Sequence, residues 1–417
     1  GAAYYFFRAA GDAWQPPLAV KIQSEKDLMA LTPAWGLWHS VAEKGEPKVL
    51  LLRDGDYLFA GDFATRYLAS DGQSITVTFT DWSAQVGDKT VAVALDKEGG
   101  RAWLNKATDR QLADIRTIGI PNEIDAATLS ALKRLAAAKP NVDLFVESEA
   151  ALLQALPLFQ PRVVFGPDSE RASVSPDLLK ALANEPQIET LFIDASVPGS
   201  MSLLATLPNL RHLMISKWDV ASAGPLPGGL SSLKSLLIME SDLTDLKALD
   251  AAPAGLEELS LIEANDLTDL TGIEKMTGLR TLVLGGNELG DLSSIAGLKQ
   301  LRWVGLPAKT SQEQFAAFVS AHPNLTILDM MGNTTVKDLA PLSALKSLQG
   351  LVLAGPYDNL TAVQGLTSLR FLGISTKIWE ASPEQVAAIR KALPDTLVVQ
   401  VTTYCLGSGW ILLLVPV

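Results

Sequence analysis

The sequence predicts an α/β fold: a coil of short parallel strands with mixed helical returns, set behind a smaller strand-rich N-terminal domain. Three observations predict it. An apolar triplet recurs every 21 to 24 residues between Leu210 and Ile374. Asparagines follow two of those triplets at a fixed distance. The residues up to 108 have a different texture and hold five of the nine tryptophans: Trp14, Trp35, Trp38, Trp82 and Trp103. A period this regular marks a repeat array.

The unit is clearest from Leu279, where the chain reads LRTLVLGGNELGDLSSIAGLKQL. Leu279, Leu282 and Leu284 open it, Asn287 follows, and Leu289, Leu292, Ile295 and Leu298 complete it. Alternate residues of a strand face opposite sides, so Leu282 and Leu284 should point inward and Val283 outward. One such turn cannot bury its leucines alone. Stacked turns bury a continuous column and pair their strands in parallel. Asn287 and Asn333 stand where the strand turns a corner, and there a side-chain amide can satisfy backbone groups that have left the ladder.

These residues resemble the leucine-rich-repeat family, and the best units, LVLGGNELGDLSSIAGL and LDMMGNTTVKDLAPLSAL, are similar to the 22-residue class of the internalins. The resemblance covers roughly two thirds of the chain. It implies a right-handed leucine-rich-repeat solenoid, with the parallel sheet on the concave face and short mixed helices on the convex face. Two units depart from the pattern. Asn265 is displaced by one position, and the unit at Leu301 has Pro307 and no asparagine, so both turns should bulge or lose a corner hydrogen bond.

Weaker units extend the array toward the N-terminus. Short strands are expected at Ile118–Ile120, Leu144–Val146, Val163–Phe165 and Leu191–Ile193, with helices from Asp125 and from Ser175-Pro176 between them. Ser311 with Gln314 and Ser382 with Gln385 read as capping boxes. About twelve to thirteen turns result. Residues 1–108 are expected to form the β-rich domain, 109–405 the solenoid and 406–417 an apolar tail. Asp54-Gly55 and Asp71-Gly72 are hairpin signals in the first of these, and SEKDLMAL from Ser24 reads as a short capped helix. In the tail, Gly407-Ser408-Gly409 divides LVVQV from ILLLVPV, which suggests a capping strand; the stump of a membrane anchor is the alternative, and only an anchor would bring a membrane into play.

Composition narrows the function classes. The net charge is −12, and an acidic surface repels phosphate backbones, so no nucleic-acid partner is expected. One cysteine, Cys405, excludes an intrachain disulfide framework and a multi-cysteine zinc site. The three histidines are far apart in sequence, and Asp54-Gly55-Asp56 fits a turn better than a metal loop. Motifs for metalloprotease, serine hydrolase, dinucleotide, P-loop or EF-hand chemistry are missing from the sequence. No enzyme activity, cofactor or metal is therefore expected. The chain opens Gly1-Ala2-Ala3, which suits a processed N-terminus and an extracytoplasmic place, periplasmic or cell-surface.

The expected role is a non-enzymatic scaffold that binds a protein or peptide on the concave face at the bacterial envelope or exterior. That face should carry Phe192, Met214, Leu237, Val283 and Asp329 in its middle column, and His212, Glu258, Trp303, Ile327 and Phe371 in the next. Apolar and aromatic groups here read as contact anchors, with Glu240, Glu258, Glu263 and Asp329 as an acidic rim. Coverage of the same stripe by the chain itself or by a second copy is the competing reading. Carbohydrate or cell-wall binding through the tryptophan-rich domain is the alternative function.

Overall fold

The computed structural model describes residues 82–401, apart from 87, 116, 147, 166–174, 196–197, 286, 288 and 370, together with the backbone of four earlier strands. Those four are β1 (Gly36–Ser40), β2 (Lys48–Leu52), β3 (Phe63–Leu68) and β4 (Ser74–Phe79). With β5 (Ser83–Val86) and β6 (Lys89–Ala94) they pair antiparallel. β1 lies between β2 and β3, and the Asp54-Gly55 hairpin signal lies outside the described residues. β3 and β4 are direct neighbours on either side of the Asp71-Gly72 segment. The helix expected from Ser24, Cys405 and the apolar tail lie outside the described residues.

From β6 onward every pairing is parallel. The strands are β7 (Thr117–Ile120), β8 (Asp143–Val146), β9 (Val163–Phe165), β10 (Thr190–Asp194), β11 (His212–Trp218), β12 (Ser235–Ser241) and β13 (Glu258–Ile262). They continue as β14 (Thr281–Val283), β15 (Trp303–Gly305), β16 (Ile327–Met330), β17 (Gly350–Leu353), β18 (Phe371–Ser375) and β19 (Leu397–Val401). Each pairs with the next in the chain, so the sheet is one continuous ladder. The first parallel pairing joins β6 to β7. Val93, Leu95 and Leu104 already belong to the same apolar core as the later turns.

Register is set by the buried side chains, because a slip of one residue would turn every leucine outward. Leu213, Leu236, Leu259, Leu282 and Val304 stand opposite one another on successive strands, and all are buried. Leu282 and Leu284 are inside while Val283 is half-exposed, as the alternation requires. Register steps vary: Thr190 to His212 and Thr281 to Trp303 span 22 residues, whereas the three steps from His212 to Thr281 span 23.

The returns between strands are helical in some turns and short 3-10 segments in others. Asp125 caps the helix Ala126–Ala138, its carboxylate accepting from the Thr128 N–H at 2.7 Å. Ser175 caps Pro176–Leu182 in the same way. Ser311 and Gln314 form the expected capping box on Gln312–Ala321. Ser382 does not: its side chain makes no cap bond, and Pro383 starts that helix through its preset φ. In the tighter turns the aspartates Asp245, Asp269, Asp291 and Asp338 each accept the backbone N–H two residues on, at 2.8–2.9 Å. That local bond fixes the bend where no full helix fits. His322 closes the helix Gln312–Ala321, with its ring nitrogens 2.9 Å from the Phe318 carbonyl and 3.0 Å from the Ile295 carbonyl. It ties two turns together in the interior.

Candidate functional site

Two features of the ladder bear on function: the corner where each strand ends, and the sheet face turned away from the leucine core.

At the corner, Asn287 and Asn333 are fully buried. Asn287 Nδ2 donates to the Leu261 carbonyl of the preceding turn at 2.8 Å. Asn333 does more. Its Nδ2 lies within 3.1–3.2 Å of the carbonyls of Pro307, Ala308 and Thr310, and its Oδ1 accepts from the N–H groups of Thr335 and Val336. The turn at Pro307, which lacks its own asparagine, is thus served by the asparagine one turn later. At the other irregular unit Asn265 is exposed and Ala264 fills the buried corner. Two turns earlier the same register position is Trp218, buried to 1% exposure, with its indole N–H donating to the Gly224 carbonyl at 3.0 Å. The sequence pattern pointed to asparagine here and did not single out this tryptophan.

On the open face, parallel pairing aligns three columns of outward positions. Six of the ten residues expected to form the binding stripe are half-buried there: His212, Met214, Glu258, Val283, Trp303 and Asp329. The side chains of Phe192 and Phe371 lie outside the described residues. Two residues depart from expectation. Ile327 is only 1% exposed. A Cβ placed on Gly350, its partner on the next strand, would come within 3.1 Å of the Ile327 side chain, so the isoleucine lies across the glycine. Leu237 is 6% exposed because it packs with Met239, Ile262 and Met214 in a second apolar cluster, separate from the leucine core. Met239 and Ile262 belong to a third column that the triplet pattern did not include. It exists because β12 and β13 run past the triplet, and the alternation Leu236, Ile238 inward against Leu237, Met239 outward was its signal.

Asp329 is the most perturbed acid of this face. Its Oδ1 accepts the Met331 N–H at 2.8 Å. Burial pushes its carboxyl up to about 6, and that hydrogen bond opposes the shift only in part. Burial likewise pushes the Tyr357 phenol up to about 12, with the negative charge of Asp329 adding to the effect. The linkage has a definite sign. A carboxyl whose folded pKa exceeds its ordinary 3.8 binds its proton more tightly when folded, so its contribution to stability is lost as pH rises from about 4 to about 6. Asp329→Asn should flatten stability against pH in that window, and an unchanged slope in urea titrations at pH 4, 5 and 6 would refute this environment.

The parallel ladder, the leucine column and the buried corner amides are the features of a leucine-rich-repeat solenoid fold. Similar solved structures include an internalin, InlF, of Listeria monocytogenes at 19% identity, covering 73% of this chain and 89% of that one with a TM-score of 0.40. Internalin C2 of the same species is 20% identical over 46% of this chain and 83% of its own, with a TM-score of 0.37. The TLR13–ssRNA13 complex is 16% identical, covering 65% of this chain and 48% of that one with a TM-score of 0.41. No family model matches the chain, and no curated protein sequence matches it.

Proposed function

We propose that this protein is an interaction scaffold that binds a protein or peptide on the open, concave face of its sheet, at the bacterial envelope or exterior. The observation that carries the reading is the composition of that face: half-buried Met214, Val283, Trp303 and Val352 lie on the same surface as the carboxylates of Glu258 and Asp329. Apolar and aromatic anchors beside a few polar groups are what a macromolecular contact uses. Nucleic acid is a poor match for a face bearing these acids. The carbohydrate alternative gains nothing from the two described N-terminal tryptophans. Trp82 and Trp103 are tilted by 36° to each other and pack against the solenoid core, so they offer no coplanar stacking platform.

The test pairs stability with capture. Trp303→Asp and Met214→Asp should each weaken retention of the partner drawn from a native envelope extract by about 2 kcal/mol or more, the range of a contact hot spot. Ser294→Asp, on the 3-10 return, should leave retention unchanged. If both open-face variants keep full retention at unchanged thermal stability, the binding surface is elsewhere. Unfolding of both would make the face internal packing.

A further inference from the structure

Charge is unevenly spread along this ladder. Residues 240–291 hold twelve acidic side chains against three basic ones, a net of −9 within a chain whose total is −12. This stretch spans the ends of β12 to β14. Met239 and Ile262 pair directly, so the residues that follow them, Glu240 and Glu263, leave neighbouring strands side by side, about 4.8 Å apart at the usual spacing. Both are exposed. Like charges in adjacent strands repel. Both also hold left-handed backbone, with φ of 53° and 55°, where glycine is the usual residue; Lys217, beside Glu240 at the equivalent step of the preceding turn, shares it with φ of 49°, and the sequence places Gly286 at that step of the next turn. The ion pairs within the stretch engage Asp245, Asp250 and Glu257. Glu240, Glu263 and the exposed Asp266 have no ion-pair partner among the described residues. Nor, among the described residues, do acids converge into a group able to hold a metal ion. They are strung out one turn after another, which suits an extended cationic chain better than a single small cation. Bordering this edge is the open face, with Met214 and Val283 half-exposed on β11 and β14.

We infer that the partner is a basic polypeptide segment, its lysine or arginine side chains set against Glu240, Glu263 and Asp266 and its apolar side chains against Met214 and Val283. The inference rests on the concave-face reading above and adds the partner's chemistry. Charge complementarity of this kind sets orientation and association rate and weakens with salt.

The probe is a fluorescently labelled peptide of alternating lysine and leucine, which in extended form carries its charges along one side, read by anisotropy at low and at physiological salt. The intact protein should bind it and should not bind the same peptide with glutamate in place of lysine. Glu240→Gln/Glu263→Gln/Asp266→Asn should weaken binding about tenfold, the sum of three exposed charge contacts. Glu123→Gln/Glu313→Gln/Glu384→Gln removes equal charge at exposed sites elsewhere and should change affinity less than about twofold. No binding by the intact protein, or equal losses for the two triple variants, overturns the inference. The concave-face reading fails separately. If Trp303→Asp abolishes capture of the native partner while the acidic-edge triple retains it in full, the face stands and the basic partner falls.

Discussion

Asn333→Ala is expected to lower stability by about 3 kcal/mol or more, the largest effect of any single polar truncation in this ladder. The amide reaches the carbonyls of Pro307, Ala308 and Thr310 and accepts from the N–H groups of Thr335 and Val336, all at zero exposure of its own residue. Alanine replaces none of these contacts, and each buried backbone group left without a partner costs about 1–3 kcal/mol. The loss is not their full sum, since the Thr335 hydroxyl also donates to the Thr310 carbonyl and that acceptor stays satisfied. Asn287→Ala should cost less, about 1–3 kcal/mol, because its amide makes one cross-turn bond, to Leu261. Asn122→Ala, at an exposed loop position, should fall within about 0.5 kcal/mol of the parent. Urea midpoints for the three variants give the order directly. Equal midpoints for Asn333→Ala and Asn122→Ala would mean that the corner amide does not hold the turns together.

That comparison also shows which parts of the molecule were legible in the sequence. The leucine triplets were, because a buried column leaves the same residue type at the same step in every turn, and a linear reading detects this directly. The degenerate early strands were legible for the same reason, down to Val163–Phe165. What escaped depends on contacts between turns. Whether Ile327 is open or covered is decided by Gly350, one strand away, and no spacing within a single unit reveals that. The rescue of the Pro307 corner by Asn333 is a second case, since the donor comes from the next turn. The end of β12 is a third. Its strand runs on to Ser241 and adds Met239 to the open face, although the triplet stops at Ile238. The acids of the rim were visible singly, but their alignment required the register that puts Glu240 beside Glu263.

Trp218 carries the corner argument to its second test. It stands five residues beyond Leu213, the same step that separates Asn287 from Leu282, and β12 brings Ser241 opposite it. A tryptophan at this position does two jobs that asparagine divides differently. Its indole N–H supplies the donor, to the Gly224 carbonyl at 3.0 Å, and its ring fills the space inside the turn where the short helix Val220–Ala223 returns. Trp218→Ala removes both and should cost about 3–5 kcal/mol, the range for emptying a large buried aromatic. Trp218→Phe keeps most of the volume and loses the donor, so it should cost about 1–2 kcal/mol, the value of a buried carbonyl left unpaired plus a small void. The ordering separates the two jobs. If phenylalanine proves as harmful as alanine in urea denaturation, the hydrogen bond dominates and the corner is purely a polar joint. If phenylalanine is neutral, the Gly224 carbonyl finds another partner and only packing matters. The intermediate result is expected because the ring is 1% exposed, which leaves little room for water to replace the indole N–H.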